Sequence, residues 1–177
     1  MRFTETPLGG VWLIEPDRIE DDRGFFARTY DREEFIAHGL DPAVVQCNTS
    51  FNARRGTLRG MHLQADPHGE PKLVRCTRGA IFDVAVDLRP DSPTHTAWFG
   101  AELSAENGHA LYIPAGLAHG FQTLQDASEV LYMMGHEYVA PAATGVRWND
   151  DVFAIAWPEV AERVISSRDQ AYPDYGR

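Results

Sequence analysis

The sequence predicts an all-β fold, a sandwich or barrel of short strands, on three observations. Short apolar or alternating runs recur along almost the whole chain. Gly, Pro, Asp and Asn clusters separate them, as hairpin and loop connections require. Helical periodicity is clear in one place only. At 177 residues the chain suits one domain, 1–177, large enough to bury a core without disulfide or metal staples.

In order, strands are expected at 11–14, 25–30, 44–51, 57–63, 72–76, 80–88, 97–103, 110–113, 120–124 and 130–136. The stretch 82–87 alternates cleanly, with Asp83 and Asp87 on one face. The one clear helix follows Asp31, a candidate N-cap with Glu34 at its N3 position. Phe35 and Ile36 give it an apolar face and Gly39 ends it. A second short helix is expected at 158–164. Cys47 and Cys76 make no framework or metal pattern, and both read as buried free thiols in strand-like runs.

The net charge of −10 argues against a nucleic-acid partner. Within that acidic chain Arg54, Arg55, Arg59, Lys72, Arg75 and Arg78 fall in one stretch, and a few such cations suit a small anion such as a diphosphate. The apolar runs are too short to cross a bilayer, and the first residues lack the apolar stretch of a secretory leader. A cytoplasmic location with no membrane partner is expected.

Two histidines sit inside larger patterns. Gly108, Pro114, Gly116 and His119 fit Gly-x5-Pro-x-Gly-x2-His, the second signature of cupin barrels. The first signature wants His-x-His followed by Glu. Here His62 is followed by Gln64, and Glu70 lies at a stretched spacing. A cupin metal needs converging imidazoles and a carboxylate, so a neutral amide at 64 removes a ligand and no metal is expected. His38, His68, His95, His109 and His136 read as ordinary core or surface residues.

The wider pattern resembles the dTDP-4-dehydrorhamnose 3,5-epimerase family. It is carried by Gln46-Cys47-Asn48-Thr49-Ser50, Gly56-Thr57-Leu58-Arg59-Gly60-Met61-His62-Leu63-Gln64 and Lys72-Leu73-Val74. It continues through 83–89 and 92–94, then Ile113-Pro114-Ala115-Gly116-Leu117-Ala118-His119-Gly120-Phe121, Tyr132 and Tyr138. Trp148-Asn149-Asp150, Trp157-Pro158 and Ser166-Ser167-Arg168-Asp169 close it. The motifs occur in order over nearly the whole chain and are specific jointly, not singly. The resemblance implies a cupin double-stranded β-helix, a jelly roll with added N-terminal strands and short flanking helices. It also implies a homodimer whose sites borrow N-terminal residues from the partner.

The implied reaction is epimerisation beside the ketone of a nucleotide-linked 4-keto-6-deoxyhexose, with no cofactor. The ketone at C4 acidifies the protons on C3 and C5, so the chemistry needs a base, an acid on the opposite face and a cation for the enolate oxygen. The resemblance assigns these roles to His62 with its partner Asp169, to Tyr132 and to Lys72. Alone, Tyr132 reads as strand core, Asp169 as a turn residue and Lys72 as solvated surface. For the sugar nucleotide, the resemblance implies Arg59, His119, Gln46, Asn48 and Arg168. Phe26 and Tyr138 would sandwich the base, and Arg23 would reach across the dimer.

Two positions depart from the family pattern. Arg28 and Ala143 stand where the family has Glu. Thymine N3 carries a hydrogen and cytosine N3 accepts one, so a guanidinium at the base edge favours cytosine. A competing reading has Arg28 on phosphate or solvent. Three functions remain open: a 3,5-epimerase or its 3-only variant, a metal-dependent cupin enzyme, and a non-catalytic sugar-nucleotide binding module.

Overall fold

The computed structural model describes residues 1–176. Its strands are β1 (Arg2–Glu5), β2 (Trp12–Glu15), β3 (Arg18–Asp21), β4 (Gly24–Ala27), β5 (Gln46–Asn52), β6 (Thr57–Gln64), β7 (Lys72–Arg78) and β8 (Ala80–Asp87). They continue with β9 (Trp98–Ser104), β10 (Ala110–Ile113), β11 (Leu117–Thr123), β12 (Ser128–Met134), β13 (Ala143–Gly145) and β14 (Val164–Ile165). The helices are α1 (Arg32–Ala37), α2 (Ser167–Gln170) and a 3₁₀ turn at Ala140–Ala142.

Two antiparallel sheets make a jelly roll. The first has the order β1-β2-β10-β7-β12-β5 and the second β13-β6-β11-β8-β9, with β14 lying parallel to β6. From β6 to β12 the chain passes repeatedly from one sheet to the other, which is how it winds the double-stranded β-helix. The core between the sheets takes Val74, Cys76, Leu111, Ile113 and Val130 from the first, and Ile81, Ala85, Leu103, Leu117 and Phe121 from the second. Fully burying such a side chain contributes roughly 1.5–3 kcal/mol. The outer face of the first sheet is covered by α1, through Phe35 against Ile14, Leu73 and Tyr112. The C-terminal segment covers the outer face of the second, through Phe153 and Val146 against Met61, Val84 and Val86.

Strict alternation then positions the site. Residues 72, 74 and 76 of β7, 130, 132 and 134 of β12, and 81, 83 and 85 of β8 share inner faces. In the middle these positions are apolar except for Asp83. At one end of the sandwich they become Lys72, Tyr132, His62, Gln64 and His119.

Helix α1 forms as expected, with the Asp31 carboxylate accepting from the Glu33 and Glu34 amides. The helix expected at 158–164 does not form. The Pro158 carbonyl accepts instead from Gln122 and Arg163 side chains, and Val164–Ile165 pairs with Thr57–Leu58. Cys76 is buried, but Cys47 is exposed, because β5 is the last strand of its sheet and has a single neighbour. Strands β1, β3, β13 and β14 lie outside the expected set. Among the described residues, no helix is long and apolar enough to cross a membrane.

Candidate active site

A cavity of about 330 Å³ opens at the polar end of the inter-sheet core. His62 and His119 come from directly opposed positions of β6 and β11 in the second sheet. Tyr132 and Lys72 come from neighbouring strands of the first, Lys72 opposite Met134. The cavity wall therefore carries His62 on one side and Tyr132 on the other.

His62, His119 and Lys72 each have a carboxylate partner. His62 Nε2 donates to Asp169 Oδ1 at 2.9 Å. Asp169 is buried in the first turn of α2, where Ser166 caps its amide and its second oxygen accepts from the Gly60 amide at 3.2 Å. Burial pushes the Asp169 carboxyl up, but the His62 bond and charge and the Gly60 amide outweigh it and hold it below the ordinary carboxylate value. Ionised Asp169 makes Nε2 the protonated nitrogen and leaves the Nδ1 lone pair as the ring's proton acceptor.

His119 Nε2 makes the matching bond to Asp83 Oδ1 at 2.7 Å. Asp83 is fully buried and its other oxygen has no hydrogen-bond partner. Burial raises its carboxyl above the ordinary value, against the opposing pull of His119 and Lys72. Lys72 is 4% exposed, not the solvated surface residue its isolated reading gives, and its Nζ lies 3.1 Å from Glu70 Oε1. The Tyr132 hydroxyl lies 3.2 Å from Ser50 Oγ. Burial is the main reason its phenol is pushed well above the ordinary value, with Ser50 opposing, so Tyr132 holds its proton at neutral pH.

Of the residues expected to bind the sugar nucleotide, Asn48, Arg59, His119, Tyr138 and Arg168 line the cavity. Arg59 Nε is held by Asn52 Oδ1 at 2.8 Å, and Arg168 sits beside Tyr138 and Tyr172. Gln46 does not line it; its side chain turns toward the His136 carbonyl. Arg23, Phe26 and Arg28 stand on or just after the β3–β4 hairpin, away from this cavity. Arg23 pairs with Asp21, Phe26 is 70% exposed, and Arg28 pairs with Asp31 at 2.8 Å. Ala143, the second departure, is on the cavity wall.

Sequence reasoning missed Asp83 as a site residue and treated Gln64 and Glu70 only as parts of a broken metal pattern. The alternation of 82–87 put Asp83 and Asp87 on one face, but only the β8–β11 pairing brings Asp83 to His119. Among the described residues, no three His, Cys, Asp or Glu side chains converge as a metal site would require.

The family model described as dTDP-4-dehydrorhamnose 3,5-epimerase matches residues 5–176. The chain belongs to the dTDP-4-dehydrorhamnose 3,5-epimerase family. A relative of that name from Sinorhizobium fredii is 43% identical over 173 residues, 98% of this chain and 89% of that one. The crystal structure of the family member from Bacillus anthracis, with TDP and PPi bound, superposes with a TM-score of 0.94 at 42% identity, covering 98% of each chain. ChmJ of Streptomyces bikiniensis, a 3'-monoepimerase in complex with dTDP-quinovose, matches with a TM-score of 0.89 at 35% identity, over 96% of this chain and 85% of that one. The chain is thus a family epimerase, built on the family's jelly roll.

Proposed function

We propose that the protein inverts C3 and C5 of a dTDP-linked 4-keto-6-deoxyhexose in deoxysugar biosynthesis, by proton transfer through an enolate. The observation that carries this reading is one cavity with a carboxylate-paired imidazole on one wall and a protonated phenol on the other.

His62 Nδ1 takes the proton from the carbon beside the ketone, and the C–H electrons move onto the C4 oxygen. Asp169 stabilises the imidazolium this forms. Lys72, buried and held by Glu70, faces the enolate oxygen as a fixed positive charge, the preorganised kind of stabilisation that needs no reorganisation during reaction. Tyr132 then gives its proton to the opposite face as the ketone re-forms. Both side chains recover their protonation states by exchange with water. A positioned acid or base typically supplies roughly 10²–10⁴-fold.

Arg59, His119, Asn48 and Arg168 bind the sugar and diphosphate, with Tyr138 against the base. Arg23 and Phe26 complete the nucleotide site from the partner in a homodimer, with Gln46 near the same edge. The reaction uses no metal or cofactor, and the enzyme works in the cytoplasm. Arg28 here spends its guanidinium on Asp31, so a preference for cytosine rests on the charge reversal alone.

Proton NMR in D₂O with dTDP- and CDP-linked 4-keto-6-deoxyglucose tests the reading. Loss of both the C3 and C5 proton signals is expected with the dTDP sugar. Loss at C3 alone would make the protein a monoepimerase, the activity that ChmJ's description gives it. Equal or better exchange with the CDP sugar would overturn the dTDP preference. In the same assay His62→Ala abolishes exchange at both carbons while nucleotide binding persists, and Tyr132→Phe keeps exchange at one carbon without inversion. Wild-type behaviour of either variant would remove that residue from its role.

A further inference from the structure

We infer that Gln64 is a positioning residue for this reaction. It clamps the segment that presents Tyr138 to the nucleotide and the carboxylate that holds Lys72. The inference rests on the epimerase reading and assigns it a part beyond the proton-transfer residues.

Gln64 closes β6 on its inner face, is 3% exposed and lines the cavity. Its Oε1 accepts from the Val139 amide at 2.6 Å, and its Nε2 donates to the Glu137 carbonyl at 3.1 Å. These two bonds bracket Tyr138 from either side. Tyr138 lies in a stretch with no regular strand or helix and is 57% exposed, so its own packing does little to fix it. The same Nε2 lies 3.0 Å from Glu70 Oε2 and 3.1 Å from the His68 carbonyl. Glu70's other oxygen holds Lys72 Nζ.

Only a side-chain amide offers an acceptor for Val139 together with two hydrogens to share among the three acceptors around Nε2. A carboxylate would have no hydrogen for Glu137 and would repel Glu70. An imidazole carries a single hydrogen when neutral, too few for both arms. The position that a metal-binding cupin would give to a second histidine is here occupied by a clamp. One arm reaches the base-stacking residue, the other the cation proposed for the enolate.

A residue that merely stabilises the fold would weaken every variant alike, whereas a positioning residue acts through its target. Gln64→Met in the full chain is expected to raise the Kd for dTDP roughly tenfold, from the loss of buried hydrogen bonds to one amide. In a Tyr138→Ala background the same substitution is expected to change the Kd by less than about twofold, the non-additivity of coupled residues. An unchanged Kd for Gln64→Met, or the same factor in both backgrounds, would overturn the inference. Gln64→Glu, which keeps an acceptor for Val139 and loses the donors, runs the same cycle if the Met variant does not fold.

Wild-type protein gives an independent reading. The Val139 amide is expected to exchange slowly with solvent, and exchange at the rate of an unprotected loop amide would overturn the clamp. A wild type that binds dTDP but exchanges no sugar proton would refute the epimerase reading while leaving the binding cycle interpretable.

Discussion

A carboxylate oxygen with no partner inside a β-sandwich is held there against its own solvation. Asp83 is in that position, with one oxygen on His119 and the other bonded to nothing. The sign of its effect follows from the direction of its shift. Burial raises the folded-state pKa above the unfolded value of about 3.9, so the native state binds the proton more readily. Its contribution to stability is greatest at low pH and declines as pH rises from the unfolded value through the folded one. Above that window the contribution is gone, and what remains of the arrangement is the bond that holds the His119 ring. Asp83→Asn removes the charge but keeps the shape and an acceptor for Nε2. It is expected to leave Tm at pH 7 no lower than wild type and to flatten the rise in stability toward acid, in calorimetry across pH. Turnover is expected to fall by about 10–100-fold, the loss typical when an outer-shell partner that orients a metal-bound imidazole is removed, taken here as the scale for an imidazole held the same way. A Tm several degrees lower would show that the Asp83–His119 bond holds the fold together. None of this was legible from residues 83 and 119 separately. The family pattern marked His119, but the partner 36 positions earlier becomes its partner only through sheet pairing.

At the scale of elements, His62 is placed by the crossing of β6 and β11. Gly60 has φ +146°, a conformation that favours glycine, and its amide is the one bonded to Asp169. Gly120 faces it across a register shift between His119 and Phe121. A Cβ on Gly120 would fall 2.7 Å from the Arg59 carbonyl and 2.6 Å from Met61 Sδ, so the strands must part to admit it. Gly120→Ala is expected to cost about 1–3 kcal/mol in urea unfolding, an overpacking penalty. Exchange of the sugar protons is expected to drop with it, because the strand that moves carries His62. Unchanged stability would mean that the crossing is looser than these distances imply. Strands of this kind were readable in sequence wherever a pattern belonged to one element: those expected at 57–63, 80–88 and 110–113 match β6, β8 and β10 to within one residue. Short strands were not. Val164–Ile165 is a strand only because Thr57–Leu58 lies beside it, and Arg18–Asp21 only because Gly24–Ala27 folds back on it. The helix expected at 158–164 yielded to tertiary bonds from Gln122 and Arg163 to a carbonyl that a helix would have used itself.

At the scale of the whole molecule, the β3–β4 hairpin pairs with no further strand among the described residues, yet it displays Ile19 and Phe26 directly opposite each other, 69% and 70% exposed. The first sheet also ends on β5, which has one free edge and exposes Val45 just before it and Phe51 within it. Apolar residues grouped this way on a small acidic protein mark a surface meant to be covered. A second copy is the cover proposed here, because Arg23 and Phe26, on the hairpin, are among the expected site residues that the cavity of their own chain lacks. A twofold dimer makes this testable by mixing, since each site would combine the core of one protomer with the hairpin of the other. The His62→Ala chain has a dead core and a sound hairpin. An Arg23→Ala/Phe26→Ala chain has the reverse, and each alone is expected to be severely impaired. Refolded together in equal amounts, half the dimers would be mixed and one of the two sites in each would be intact, restoring about a quarter of wild-type turnover. Sedimentation equilibrium on the same mixture confirms that dimers form. Activity equal to the mean of the two separate variants would mean that the hairpin serves no partner's site, and a monomer at assay concentration would remove the dimer itself.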